Sequence, residues 1–149
     1  MVTLRKANIW DAVKISELWQ QMTDEVPYLK SNNPDKERFY LQLLVRIKHP
    51  HHCIIVAESA GEIIGFITGY LTNAEYSDKV IGFCDNAFCD PRYRGHNVYF
   101  KMIDELYSEG VRAGAKEMDF QFRYDPNLVK VWQRKGYEPS FIVYSREVK

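Results

Sequence analysis

Three common patterns are missing from this chain of 149 residues, and each absence excludes a class of protein. Lysine and arginine number 20, as do aspartate and glutamate, so the formal net charge is zero at pH 7. General nucleic-acid and membrane-surface binders carry a strong basic excess, so we expect neither nucleic acid nor a membrane as a partner. No apolar run approaches the roughly 20 residues of a membrane-spanning helix. The first residues also lack the apolar core of a signal peptide.

Cysteine is scarce as well. Cys53, Cys84 and Cys89 are odd in number and lie in apolar stretches typical of strands. Buried, reduced thiols in a cytoplasmic protein are the expectation, and a redox or metal-binding pair of Cys84 and Cys89 is the alternative. Residues 49–52 include three histidines. Successive side chains before a strand point in alternating directions and do not converge on one ion, so no metal site is predicted.

Hydrophobic periodicity predicts alternating strands and helices. Helix starts are expected at Asn8, at residues 33–35, near Asn97 and at Asp125. The predicted strands span residues 2–7, 53–58, 63–71, 80–89 and 115–123, followed by a final strand that contains Phe141, Val143 and Tyr144. Residues 53–71 form a hairpin, whereas the strand–helix–strand order of residues 80–123 implies a parallel pair. We expect a single α/β domain over residues 1–149.

The stretch that leads from the strand ending near Cys89 into the next helix is the best candidate for a binding site. Pro91 ends the strand because it has no N–H to donate. Gly95 and Asn97 tolerate left-handed backbone, and the first N–H groups of the helix have no partner within it. Such amides, with the helix dipole behind them and Arg94 beside them, predict a phosphate site. The alternative is an ordinary strand-to-helix turn with solvated arginines.

Residues 90–99 resemble the acyl-CoA pyrophosphate loop of the GNAT superfamily of N-acetyltransferases, which typically reads Pro-x-Tyr-Arg-Gly-x-Gly-x-Gly or Ala. The matching positions are Pro91, Tyr93, Arg94 and Gly95. Asn97 stands where the family has its main loop glycine, and Tyr99 stands where it has glycine or alanine. Residues 56–66 also resemble the second and third strands of that fold, so the resemblance covers nearly the whole chain.

The resemblance implies a GNAT-like mixed, mostly antiparallel twisted sheet, with helices on both faces and a central parallel strand pair that splays. It implies transfer of an acetyl group from acetyl-CoA to a primary amine of a small molecule or protein. The cofactor-binding residues that it implies are Phe88 and Cys89 along the strand and Arg94, Gly95, His96, Asn97, Val98 and Tyr99 in the loop.

Asp85 is the predicted catalytic base. It interrupts an apolar strand, and carboxylates are costly to bury unless they have a role. The resemblance places it where many family members carry a glutamate that acts through water, and a salt-bridged Asp85 is the alternative. At the family's general-acid tyrosine this chain has Trp132, whose N–H cannot supply a proton. Tyr124 is the predicted substitute, with Tyr137 and Tyr144 as alternatives.

The acceptor amine is not named by the sequence. Tyr28, Glu75 and Tyr144 are the predicted substrate-side residues, and they fit small amines, polyamines, amino acids and protein termini alike. The connection at residues 26–29 either packs on the core or forms a substrate wall. A non-catalytic acyl-CoA-binding or interaction module and an acyltransferase with a longer donor stay open as alternatives, as does a homodimer through the last strands.

Overall fold

The computed structural model describes residues 1–95 and 97–148. The strands are β1 (Val2–Lys6), β2 (His52–Ser59), β3 (Glu62–Asn73), β4 (Val80–Cys89) and β5 (Glu117–Phe120). The helices are α1 (Ala12–Glu25), α2 (Pro27–Ser31), α3 (Lys36–Lys48), α4 (Val98–Arg112) and α5 (Pro126–Arg134). Among the described residues, no helix has both the length and the apolar character needed to cross a membrane.

Polar caps start the helical segments where the sequence predicts them. Asn8 and Asp11 form a capping box ahead of α1. The side chain of each residue accepts a hydrogen bond from a backbone N–H at the other end of the turn. The Asp35 side chain accepts from the N–H of Arg38 at 3.0 Å at the start of α3. Asp125 caps α5 in the same way. Each cap satisfies a backbone donor that has no partner within the helix.

The strands form one sheet in the order β1-β2-β3-β4-β5. The first three pairings are antiparallel, and β4 with β5 is parallel. Residues 81–84 of β4 pair with residues 117–120 of β5, after which β4 continues to Cys89 along β3 alone. The predicted mixed sheet and the splaying of its parallel pair are therefore confirmed.

Two apolar layers cover the sheet. The α4 residues Met102, Ile103 and Leu106 pack on one face, together with Ile55 and Ile67 of the strands. On the other face, α1 and α3 pack against β2 and β3 through Ile15, Leu18, Leu43, Val56 and Phe66. Full burial of one such side chain contributes about 1.5–3 kcal/mol. The helices thus cover both faces, and the end of β4 beyond β5 keeps β3 as its neighbour on one side while no described strand pairs with it on the other.

A β-bulge lies in β4 at the point where β5 leaves it. Thr68 pairs with Asn86 and Gly69 pairs with Cys84, so Asp85 is the extra residue on β4. A Cβ on Gly69 would lie 2.8 Å from the carbonyl oxygen of Phe83, closer than real Cβ atoms approach a backbone oxygen. Glycine therefore permits the close strand approach at the bulge, which turns Asp85 away from the regular alternation.

Two expectations about secondary structure are wrong. Residues 27–31 form the short helix α2 instead of an irregular connection, because Pro27 occupies the first helical turn, where no N–H is needed. The final strand does not form: Phe141, Val143 and Tyr144 lie in an irregular, exposed segment after α5. Strand propensity acts through pairing with a neighbouring strand, and the outer strand β5 offers only four residues.

Substituting Gly69→Ala tests the close approach at the bulge. We expect it to lower the free energy of unfolding by about 1–3 kcal/mol, because the new methyl group meets a backbone oxygen that cannot move alone. Urea unfolding measures the change. The control is Thr72→Ala, on the exposed part of the same strand, which should change stability by less than about 0.5 kcal/mol. Equal effects of the two substitutions would contradict a tight contact at Gly69.

Candidate active site

The loop between β4 and α4 has the backbone geometry of an anion site. Gly95 has φ +93° and Asn97 has φ +60°, both left-handed. Lys101 donates its N–H to the carbonyl of Asn97 at 3.1 Å. The N–H groups of residues 98–100 precede this bond, so no carbonyl within the helix can accept from them. A Cβ on Gly95 would meet nothing within 4 Å, so the space beside the loop is open. His96 lies outside the described residues.

Arg94 braces this loop. Its Nε donates to the carbonyl of Cys89 at 3.1 Å, and its Nη2 donates to Glu25 of α1 at 2.7 Å. The guanidinium carbon lies 5.3 Å from the centre of the Phe88 ring. The side chain is still 48% exposed. Arg94 therefore ties the end of β4 to the end of α1 and keeps part of its charged group accessible to a ligand.

Tyr99 turns inward from the first turn of α4. It packs against the apolar cluster under α4, with its ring edge-on to Phe100 at 5.4 Å. Burial raises the pKa of Tyr99 to about 12. The neighbouring Val98 is also buried, with 1% of its surface exposed. Tyrosine at this position is accommodated by core packing, and the backbone amides of the helix start are what the first turn offers to a ligand.

Beyond the bulge at Asp85, β4 pairs with β3 on one side from Asn86 to Cys89, and no strand of the described residues pairs with it on the other. Such an edge can add an extended, amide-bearing chain through backbone hydrogen bonds. Beyond the end of β5, Phe122 and Trp132 stack at 5.1 Å with 5° between their planes. The indole N–H of Trp132 is buried and has no acceptor among the described residues. A buried donor without a partner is unfavourable unless a ligand supplies one.

Asp85 forms the salt bridge that the sequence analysis gave as the alternative to a catalytic role, and its carboxylate is held from two sides. Arg46 of α3 donates Nη1 to Oδ2 at 2.9 Å and Nη2 to Oδ1 at 3.0 Å, and the Thr68 hydroxyl donates to Oδ1 at 2.6 Å. A carboxylate has about four acceptor positions, of which three are used here. The fourth position, on Oδ2, is free of these contacts. The side chain is 35% exposed, so an incoming amine or water can reach it.

His52 is a hydrogen-bond partner of Arg46. Arg46 Nε donates to His52 Nδ1 at 3.0 Å, so the ring accepts at Nδ1 and its neutral form carries the proton on Nε2. Burial, followed by the charge of Arg46, lowers the pKa of His52. The ring also lies 5.0 Å from that of His49 and 5.7 Å from that of Tyr70. The cluster therefore favours a neutral histidine.

A family model described as the acetyltransferase (GNAT) family matches residues 15–137. The chain belongs to the GNAT family. An uncharacterized N-acetyltransferase of Bacillus subtilis, YhfO, is 24% identical over 138 residues, covering 92% of this chain and 90% of that protein. Acetyl transfer is the activity of the family, and its enzymes use acetyl-CoA.

Solved structures share the fold. Glucosamine-6-phosphate N-acetyltransferase from Arabidopsis thaliana superposes with a TM-score of 0.78 at 19% identity, over 100% of this chain and 99% of that chain. AAC(6')-Iy, in complex with a bisubstrate analog, gives the same TM-score, identity and coverage. Ribosomal-protein-alanine N-acetyltransferase from Brucella melitensis gives a TM-score of 0.74 at 13% identity, over 100% of each chain. These likenesses confirm the predicted GNAT fold.

The structure brings part of the predicted GNAT site together. Asp85, Phe88 and Cys89 follow one another along the open edge of β4, which leads into the loop that carries Arg94 and Gly95. No hydrogen bond or ion pair within the described residues joins Asp85 to the other predicted side chains. Tyr124 is 80% exposed after β5, Tyr144 is 90% exposed after α5, and Glu75 is exposed in the β3–β4 connection. Tyr28 is half-exposed on α2, with the Arg123 guanidinium 4.4 Å from its ring centre.

Sequence reasoning missed Arg46 and Thr68. Thr68 carried a signal, since it is a polar residue in an apolar strand and is fully buried. Arg46 carried none, because it is one of several charged residues on α3 and its partner is 39 residues away. The alternative of a redox pair has no support in the geometry. Cys84 and Cys89 are free, and burial raises the pKa of both thiols, to about 12 at Cys84.

Neutral His52 makes stability depend on pH in a definite direction. Its folded pKa is below the ordinary value of 6.5, so the unfolded chain binds more protons as the pH falls below about 6.5, and acidification favours unfolding. We expect thermal denaturation to show a decline in Tm between about pH 7 and pH 5, and His52→Gln to make that decline smaller. His51→Gln, an exposed control, should leave it unchanged. An equal decline in the His52 variant would contradict the assignment.

Proposed function

We propose that this GNAT enzyme transfers an acetyl group from acetyl-CoA to a primary amine, with the donor along the open edge of β4 and the amine at Asp85. One observation carries the proposal. The strand edge of residues 85–89, left unpaired by β5, leads directly to the amides at the start of α4. The pantetheine arm of acetyl-CoA would pair with the strand edge, and its diphosphate would bind the amides at the start of α4.

The residues present fit acetyl-CoA. The amides at the start of α4, together with Arg94 and the open space beside Gly95, would hold the diphosphate. Asn97 would take part as the left-handed residue that starts the helix. The indole N–H of Trp132 offers a further donor to an acceptor in the cleft. When bound, acetyl-CoA supplies an activated acetyl group on a thiol that leaves readily.

Asp85 is the proposed base. Its unused acceptor position on Oδ2 would take a hydrogen bond from the amine, or from a water that bridges to it, as the amine loses a proton. Partial exposure of Asp85 lets that proton pass on to solvent. A backbone N–H at Phe88 or Cys89 would polarise the reacting carbonyl. Tyr124 as the acid that protonates the leaving thiolate stays a prediction.

The acceptor class is proposed as a primary amine of a small molecule or a protein. The solved structures with this fold are named for glucosamine-6-phosphate, for a ribosomal-protein alanine and for a bisubstrate analog of CoA and acetylneamine, which differ in size and charge. Tyr28 is the best placed of the predicted acceptor residues, because α2 brings it beside Arg123, three residues beyond β5. Glu75 and Tyr144 stay predictions at the rim.

Two further properties are part of the proposal. A cytoplasmic location is supported by three free cysteines, of which two are buried. A homodimer is supported by the exposed apolar side chains of residues 141–144, which a second chain would cover. Gel filtration with light scattering tests the dimer.

Calorimetric titration of acetyl-CoA, followed by thiol release with a panel of amines, tests the function directly. We expect binding, and turnover with at least one of an amino sugar phosphate, an aminoglycoside, a polyamine and a peptide with a free N-terminus. Binding without turnover on any amine would favour a non-catalytic acyl-CoA-binding module. Competition among acyl-CoA chain lengths distinguishes acetyl-CoA from a longer donor.

Asp85→Asn should lower kcat about 10²- to 10⁴-fold, the usual contribution of a positioned base. Acetyl-CoA affinity should be unchanged, because the amide keeps the shape of the strand edge. Asp104→Asn, on the exposed face of α4, is the matched control and should leave kcat unchanged. A variant at Asp85 with the parent rate at every pH would show that this carboxylate is not the base.

Arg94→Ala should weaken acetyl-CoA binding by removing a positive charge beside the diphosphate. The matched variant Glu25→Gln removes the carboxylate that pairs with Arg94 and leaves the guanidinium in place. If Arg94 acts on the ligand, only Arg94→Ala raises the Kd in calorimetry. If Arg94 only braces the loop, Arg94→Ala and Glu25→Gln should both lower Tm, and the two variants should bind acetyl-CoA with the same Kd.

A further inference from the structure

We propose that Arg46 is a positioning residue for acetyl transfer, which holds the Asp85 carboxylate with one acceptor position directed to the amine. The inference rests on the proposed function and adds a residue to it. Arg46 belongs to α3 and not to the cofactor loop or to β4, and it contributes through Asp85 alone.

The need for such a residue follows from the bulge. Asp85 is the extra residue of β4, so no residue of β3 stands opposite it. An exposed carboxylate at an unpaired backbone position has several rotamers of similar energy. Two parallel N–H donors from one guanidinium fit both oxygens at once and select one orientation. Thr68 makes the two carboxylate oxygens inequivalent, because its hydroxyl donates to Oδ1 only.

Arg46 is itself held in place. Its side chain is 14% exposed, and its Nε donates to His52 Nδ1 from the opposite side of the guanidinium. The helix beneath it is anchored by Phe39 and Leu43, which are buried against the sheet. The backbone of Arg46 also accepts the N–H of His49, which closes the last turn of α3. A guanidinium fixed in this way loses little entropy when it orients Asp85.

Lysine cannot replace this arrangement. An ammonium is a single point of positive charge, so it pairs with one carboxylate oxygen and leaves His52 without its donor. Arg46→Lys therefore keeps the charge and loses the orientation, whereas Arg46→Gln loses both. We expect kcat to fall about 10-fold in the lysine variant and about 100-fold in the glutamine variant, with the KM for acetyl-CoA unchanged.

The test is a double-mutant cycle on kcat with the amine that gives the highest turnover. If Arg46 acts through Asp85, then Arg46→Gln in the Asp85→Asn background should change kcat by less than about two-fold. Arg112→Gln is the matched control, since Arg112 pairs with Glu105 and Glu109 on α4, and it should leave kcat unchanged. Thermal denaturation is measured on every variant, and Arg46→Lys carries the comparison if Arg46→Gln does not fold.

The outcomes separate the two proposals. Parent-like kcat in both Arg46 variants, with an active parent enzyme, would overturn the positioning role alone. An Arg46→Gln effect of equal size in both backgrounds would also overturn it, because it would show action independent of Asp85. A parent protein that acetylates no amine would overturn the proposed function, and the positioning role with it.

Discussion

The parting of β4 from β5 is the feature on which the rest of the structure depends. Pairing stops at Cys84 and Phe120, and the bulge at Asp85 immediately follows. A fully paired strand would satisfy its own edge and leave no backbone for a ligand. Because β5 has only four residues, the edge is open where the carboxylate turns out and where the cofactor loop begins. The proposed catalytic and binding groups therefore share one short run of backbone.

The arginines around this opening show that positive charge alone is a poor guide to a ligand site. Arg92 is held by Asp90 and Glu62, Arg94 bonds to Glu25, and Arg46 bonds to Asp85. Each cation is matched by a carboxylate of the same protein, consistent with a net charge of zero. The proposed binding of a diphosphate by the loop thus relies mainly on backbone amides, which have no competing partner within the helix. Arg94 adds to it through the part of its side chain that is exposed.

The fold could be predicted from the sequence because its signals are local. Alternation placed the strands, caps placed the helix starts, and Gly95 with Asn97 marked the left-handed loop. What failed depends on distant partners. The strand at Phe141 needs an edge that the short β5 does not offer, and the partner in the salt bridge of Asp85, Arg46, lies on a different element. No periodicity in one segment reports which side chain of another segment will meet it.

A cluster of aromatic residues around Trp132 explains how so short a strand stays in place. Phe120 and Phe122 pack on Trp132, whose ring also meets Phe100 and Tyr137. Aromatic pairs of this kind contribute about 0.5–1.5 kcal/mol each beyond their burial. They replace the ladder hydrogen bonds that β5 lacks, so the strand is fixed without closing the cleft. Trp132 of α5 thus packs at the wall of the cleft, and its buried N–H has no acceptor among residues 1–95 and 97–148. Where the family has a tyrosine that can give up a proton, this chain has an indole that can donate only a hydrogen bond.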